Sequence, residues 1–393
     1  MIKSSILFSF LIFSLSHPSV SSAGDIVWHG FGAQGIIQSS DSNYINDSGD
    51  VSLRLTEVGL NASYRINQKL RVSAQGIYIN GGNRFDEGLR IDYLFLDYQL
   101  LNSNSWNINA HLGRYKNYHW LYSATRDVPH TMPSIVLPQS SYFDAFRDVS
   151  LGSDGLSLTA QHLNSLGEWD VRLSHGSSRV KDEQTENLMS KLATGALEHD
   201  FDTQFSVSFS PLSSGLSLGM SLLKTKFSYH SSDNDVFTDG NARLSRIMLS
   251  LSYSAEYWDI NAEAMHEKAK FKGLFPEGRD ENGISEGLYI QGRYFIHPDV
   301  TLLARFDTFD ANRDDRNGIK YQQNSGGTIP NYFAYRDQLT LGASWDFSTN
   351  WRVRAEYHKI DGRARLAPVF IPDTVTNDSQ YWDIWALQII YWF

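Results

Sequence analysis

Residues 381–393 read YWDIWALQIIYWF, and counting back in twos from Phe393 gives Tyr391, Ile389, Leu387 and Trp385. That is one unbroken apolar and aromatic face with the two-residue period of a β-strand. The opposite face carries Gln388 and Ala386 in its middle. Chain termini ordinarily fray into water, so an aromatic terminal residue on such a strand calls for an apolar medium to hold it. A strand that closes a barrel in a membrane meets that need: alternate residues face lipid and the end rings sit in the interfacial girdle. The competing expectation is the edge strand of a soluble sandwich.

The 393 residues include no Cys, 13% aromatic and 20% charged residues, and carry a formal charge of −10. Mean hydropathy is −0.35, and after residue 23 no apolar run approaches the roughly eighteen residues of a membrane helix. A β-barrel tolerates low hydropathy because only every second residue faces lipid. Residues 1–23 read as a secretory signal peptide, with Lys3, the apolar run ILFSFLIFSL and the small-residue site Ser21-Ser22-Ala23. The expected organisation is therefore a leader over 1–23 and one barrel domain over 24–393. With no Cys there is neither lipid anchor nor disulfide, and the acidity argues against nucleic acid as a partner.

Beyond residue 23 the chain holds about sixteen runs of alternating apolar residues, among them 51–66, 257–270 and 284–296. Each is long enough to cross the hydrocarbon core at a tilt. Their connections alternate between short turns such as Asn67-Gln68 and long stretches at 39–50, 81–87, 117–151, 178–194, 230–240, 271–283, 313–334 and 363–379. Short turns at one end and long loops at the other are the asymmetry of an outer-membrane barrel, with the turns in the periplasm. The predicted fold is an all-β transmembrane antiparallel barrel of about sixteen strands. The ending itself, Phe393 with Tyr391 two residues earlier, resembles the terminal signature by which the barrel assembly machinery recognises Gram-negative outer-membrane proteins.

The third long loop, 117–151, is both long and too apolar for an exposed tip: Trp120, Leu121, Ile135, Val136, Leu137, Tyr142, Phe143 and Phe146. Loops beyond about fifteen residues are usually functional, and Pro129, Pro133 and Pro138 stiffen this one. We expect it to fold inward, pack on the barrel wall and narrow the lumen. Residues LGRYKNYHWLYSATRDVPHTMPSIVLPQSSYFD, within 112–155, resemble the same region of porins of the phosphate-selective and anion-channel group. That resemblance implies a water-filled channel for passive diffusion of small hydrophilic solutes or ions. No Arg-rich outer ladder like that of the phosphate-specific members is present, so their substrate is not carried over.

Arg114, Lys116, Arg126, Asp127, Asp144, Arg147 and Asp148 are the charges that could form a constriction, since rings of fixed charge select ions. The plainer reading is that Arg126, Asp127, Arg147 and Asp148 hold the folded loop by pairing, as buried charges normally do. Inward parity places Arg54, Arg71, Arg352 and Arg354 on the facing wall, with Arg293 and Arg305 adding positive charge and Glu263, Asp307 and Glu356 diluting it. On this reading a basic wall gives a weak anion preference. Two other functions compete. An outer-membrane hydrolase of phospholipase type needs an oriented Ser–His pair, and the His residues are scattered without a nucleophile motif. A plugged structural or adhesive barrel would need complete closure. No cofactor is expected and no metal-ligand spacing occurs, although acidic loops at 231–240 and 308–318 could hold Ca²⁺ weakly. Expected partners are outer-membrane lipid, lipopolysaccharide, the assembly machinery and a homotrimer's other copies.

Overall fold

The computed structural model describes residues 26–85, 87–275 and 279–393, so the expected leader over 1–23 lies outside the described residues. Sixteen strands form one closed antiparallel sheet in chain order. They are β1 Ile26–Ser40, β2 Thr56–Arg65, β3 Leu70–Asn80, β4 Gly88–Asn102, β5 Trp106–Lys116, β6 Gly152–Leu163, β7 Gly167–Ser177 and β8 Ala196–Pro211. They continue as β9 Leu216–His230, β10 Gly240–Ser254, β11 Trp258–Phe275, β12 Arg279–His297, β13 Val300–Asp310, β14 Tyr335–Ser348, β15 Trp351–Asp361 and β16 Tyr381–Trp392. A barrel of this strand number leaves room for an aqueous interior.

The aromatic C-terminal strand closes the barrel. β16 pairs with β1 from Phe31 opposite Trp392 to Ser40 opposite Asp383. Beyond the strand end, Gly30 and Phe393 exchange two backbone hydrogen bonds of 3.1 and 3.0 Å. The Phe393 ring packs over Gly30, where a Cβ would lie 2.5 Å from it and make the ring shift. On the outward face Trp345, Phe347, Trp351, Tyr391 and Phe393 form a chain of rings with centroids 4.8–6.2 Å apart, all at the short-turn end. This is the periplasmic aromatic girdle. Trp385, Leu387 and Ile389 face out above it, while Trp382, Ile384 and Ile390 point in and are buried.

Two elements differ from the expectation. The run 51–66 becomes a strand only at Thr56, and the stretch before it makes a single bridge, Ser52 to Ile37. β11 and β12 run on to Phe275 and back from Arg279, through residues expected as the loop 271–283. Above the membrane both faces of a hairpin meet water, so polar residues there can be strand without any apolar alternation.

The apolar faces that point inward are covered by the third long loop. Val136 joins Ile37, Ile360, Ile384, Ala386 and Leu55 in one buried cluster. Trp120, Met132, Leu137 and Tyr142 join Met248, Met265, Tyr289 and Phe309 in another. The loop therefore lies inside the barrel, as its composition implied, and bridges opposite parts of the wall.

Candidate functional site: the loop across the lumen

The loop is tied by its backbone as much as by its side chains. Three inward carboxylates accept its amide hydrogens. Glu263 on β11 accepts from Leu121 N–H at 2.9 Å and from the Tyr142 hydroxyl at 2.5 Å. Asp307 on β13 accepts from Gln139 N–H at 2.8 Å and Ser140 N–H at 3.3 Å. Glu356 on β15 accepts from Ile135 N–H at 2.6 Å and Val136 N–H at 3.2 Å.

Three inward arginines donate to its carbonyls. Arg305 on β13 reaches Val136 O at 2.8 Å and Ser134 Oγ at 2.9 Å. Arg352 donates to His130 O at 2.8 Å, and Arg354 to Pro129 O at 3.0 Å and also to Met132 O. Arg352 and Arg354 lie just after the short turn before β15. The segment 129–132 thus reaches nearly to the periplasmic end, where the His130 ring stacks on Trp392 at 4.9 Å. Hydrogen bonds with a charged partner contribute about 1.5–3 kcal/mol each, so this set outweighs the entropy of a few ordered loop residues.

The charges within the loop are paired. Arg126 donates to Asp144 at 2.7 Å and to Tyr142 O at 2.9 Å. Asp144 also accepts from the Tyr44 hydroxyl at 2.7 Å, and Arg84 stands 3.9 Å away. Arg147 holds Asp127 through Nε at 3.0 Å and faces Glu57 at 3.6 Å. Lys116 bonds Asp127 at 2.6 Å and also Asp92, while Asp148 pairs with Arg90. Burial raises the Asp127 and Asp144 carboxyls, but the cations outweigh it: Lys116 and Arg147 hold Asp127 well below its ordinary range, and Arg84 and Arg126 lower Asp144.

The remaining singled-out residues lie elsewhere. Arg71 faces inward at the periplasmic end of β3, bonded to Asp97 at 2.6 Å. Arg54 sits ahead of β2 on an exposed stretch and makes no ion pair among the described residues. Arg114 shares the outward face with Leu112 and pairs with Asp154 at 3.2 Å, so it does not line the lumen. Tyr391 and Phe393 are in the girdle at the short-turn end.

Sequence reasoning missed the two roles that matter most here. It saw Glu263, Asp307 and Glu356 as dilution of a basic wall, and they are the amide acceptors that seat the loop. It saw Arg352 and Arg354 as free wall charges, and their guanidiniums are used on loop carbonyls. Among the described residues two Ser–His side-chain contacts occur, Ser178 with His199 and Ser221 with His119, both at 2.8 Å. Both are buried between loop and wall; His199 Nε2 meets Thr225, not a carboxylate. Among the described residues no group of His, Asp and Glu is placed to hold a metal ion. The loop carboxylates weighed for Ca²⁺ are used locally: Asp239 accepts from Ser231, and Asp315 from Lys320 and Tyr321 N–H.

Residues 212–369, from the turn before β9 into the last long loop, match the family model of phosphate-selective porins O and P. Over that stretch, less than half of its length, the chain is similar to outer-membrane porins. The match covers a different part of the chain from 112–155, where the motif resemblance lies. Among solved structures, OmpT of Vibrio cholerae superposes with a TM-score of 0.57 at 10% identity, over 95% of this chain and 99% of that one. An anion-selective porin from Comamonas acidovorans gives 0.56 at 11% identity, over 94% and 100%. The channel DcaP of Acinetobacter baumannii gives 0.56 at 12% identity, over 95% and 99%. No curated protein matches this chain by sequence.

The loop also carries a pH response. Burial, then Arg352 and Arg354, push His130 down to about 4, and burial and Arg246 hold His119 well below its ordinary value. Both are neutral in the docked loop. A free histidine titrates near ~6.5, so the docked state gains fully above that pH and loses stability as pH falls from there toward about 4. Asp127 and Asp144 do not oppose this, since depressed carboxyls lose their contribution only below the ordinary carboxylate range, near ~4. The histidine contribution is read as the difference between wild type and His119→Gln/His130→Gln in single-channel noise recorded at pH 7 and pH 4.5, the wild type gaining more noise at the lower pH. Identical traces would mean that the two rings do not resist protonation.

Proposed function

We propose that this porin passes small hydrophilic solutes with a weak preference for anions, through a passage that residues 117–151 constrict. The carrying observation is a small hollow of about 30 Å³ between the loop and the wall, lined by Arg84, Arg126, Arg147 and Arg354 against Glu57 and Asp144. Arginine keeps its charge at any working pH, and in a space this small a local excess of guanidinium biases ion entry more than remote loop acids do. Those acids sit beyond the roughly 8 Å screening length of physiological salt. The family model is named for phosphate selectivity; without an Arg ladder on the outer approach, no such specificity is proposed.

Arg84→Ser tests the preference while leaving the hydrogen bonds of Glu263, Asp307, Glu356, Arg305, Arg352 and Arg354 with the loop in place; only the 3.9 Å contact of Arg84 with Asp144 is lost. In a salt gradient across a planar bilayer the reversal potential should shift toward cations, with conductance changed less than about twofold, because a ring charge sets selectivity more than bore. A wild type that is already cation-selective, with no shift on substitution, would refute the basic hollow. Export through a leader over 1–23, recognition of Tyr391 and Phe393 by the assembly machinery, contact with lipopolysaccharide and association in threes belong to the same reading. A trimer form is described for the structurally similar OmpT.

A further inference from the structure

The last long loop, 363–379, crosses the mouth of the barrel. Its two ends are pinned beside the strands that carry it. Arg363 donates to Ser379 O at 2.6 Å and to Asp41 O at 2.5 Å, and Ala364 N–H donates to Tyr335 O at 3.0 Å. The Tyr332 hydroxyl donates to Asp378 O at 2.7 Å. Between these ends the chain travels to the far wall. Phe370 enters a nest of rings made by Phe237, Phe271 and Phe275, with centroids 6.3, 5.1 and 5.9 Å away. Ile371 N–H donates to Met189 O at 3.3 Å. Phe271 and Phe275 belong to β11, and Phe237 to the loop before β10, which stands six strands from β16 in the ring of sixteen.

On its way across, the last loop lies on the third. Leu366 shares a buried cluster with Val136. The Arg365 guanidinium covers the Phe143 and Phe309 rings at 5.1 and 4.2 Å and stands 4.0 Å from Glu267. A hollow of about 20 Å³ separates the two loops, lined by Arg365, Leu366 and Ala367 against Phe143, Asp144 and Arg84. Arg84 and Asp144 also line the deeper hollow between third loop and wall, so the two hollows are successive steps on one route. A single water already needs about 10–15 Å³, and a solute that takes this route has to displace a loop. The two loops are held very differently. Carboxylates and guanidiniums of the wall grip the third one. The far end of the last one, at residues 370–371, rests on ring contacts and one backbone hydrogen bond among the described residues.

We infer that residues 363–379 are a movable strap, a second constriction in series with the third loop, which opens at its Phe370 end to admit solute from the side of the long loops. The pinned ends keep the strap on the mouth, and the weakly held far end sets how often it lifts. The inference rests on the reading that the lumen conducts and is independent of the ion preference proposed for it.

The test is single-channel recording of the wild type and of Phe370→Ser, with neutral polyethylene glycols added to one side of the bilayer at a time. Each aromatic pair shifts an equilibrium by roughly two- to tenfold, so losing three should make openings more frequent by on the order of tenfold. Polymers that wild type excludes should then enter from the long-loop side. Access from the short-turn side, which the third loop limits, should stay as in wild type. Arg365→Gln removes a separate contact of the strap and should act in the same direction, and heat-modifiable gel mobility identifies the intact barrels. Intact variants with wild-type openings and wild-type polymer access would overturn the inference, as would entry gained equally from both sides. A wild type that stays silent even with 126–147 excised would instead overturn the channel reading and the strap with it.

Discussion

Excising residues 126–147 should raise the single-channel conductance severalfold and admit larger sugars. A constriction dominates the resistance of a short pore, and these residues include the segment that spans from the β13 wall at Arg305 to the periplasmic end at Arg352. Arg352→Ser/Arg354→Ser is the subtler version. It removes the donors to His130, Pro129 and Met132 carbonyls, each bond being on the order of 1.5–3 kcal/mol. The tip of the loop should then fray, giving a smaller conductance rise with rapid flicker, while Glu263, Asp307 and Glu356 keep the rest seated. A pure shift of reversal potential at constant conductance would return these arginines to the role of free wall charges.

Deleting Phe393 should lower the amount of assembled barrel several-fold. The residue supplies two backbone hydrogen bonds to Gly30 beyond the last regular pair, and its ring closes the girdle beside Tyr391. The equilibrium loss is modest, yet a change of about 1–2 kcal/mol already alters abundance several-fold, and an unclosed seam between first and last strands leaves two edges open to misassembly. Surface labelling with the heat-modifiable gel shift measures it. Normal levels of a fully shifting band would show that Tyr391 and the inner β1–β16 pairs suffice.

The wall of this protein was legible because lipid enforces alternation: Leu70, Val72, Ala74 and Tyr78 on β3 face out while Arg71 and Gln75 face in. Legibility failed where that constraint lapses. Residues 51–55 alternate like a strand but form only the Ser52 bridge and one bond from Gly35 N–H to Leu55 O, and the polar ends of β11 and β12 looked like a loop because water lies on both sides. Irregular backbone hid other placements. Asp92 falls at a register shift between Gln75 and Gly76 of the neighbouring strand, which lets it meet Lys116. Gly113, at φ +124°, interrupts β5 just before Arg114. The loop's apolar residues and prolines announced that it was inside, whereas its anchors did not. Glu356 binding the amides of Ile135 and Val136 leaves no complementary side chain for a sequence to display. Paired loop charges such as Arg126 and Asp144 were visible as one of two readings, and the contacts select pairing.

The absence of Cys permits a direct measurement of where the loop lies. Gly287 on β12 faces Ser140, and a Cβ placed on it would be 3.0 Å from the Ser140 Cβ, a little inside the separation of about 3.8 Å that a disulfide spans. Ser140→Cys/Gly287→Cys should therefore cross-link on mild oxidation of intact outer membranes, and the oxidised pore should conduct like the wild type. Two thiols that stay free and react with a large membrane-impermeant reagent from outside would place the loop out of the lumen.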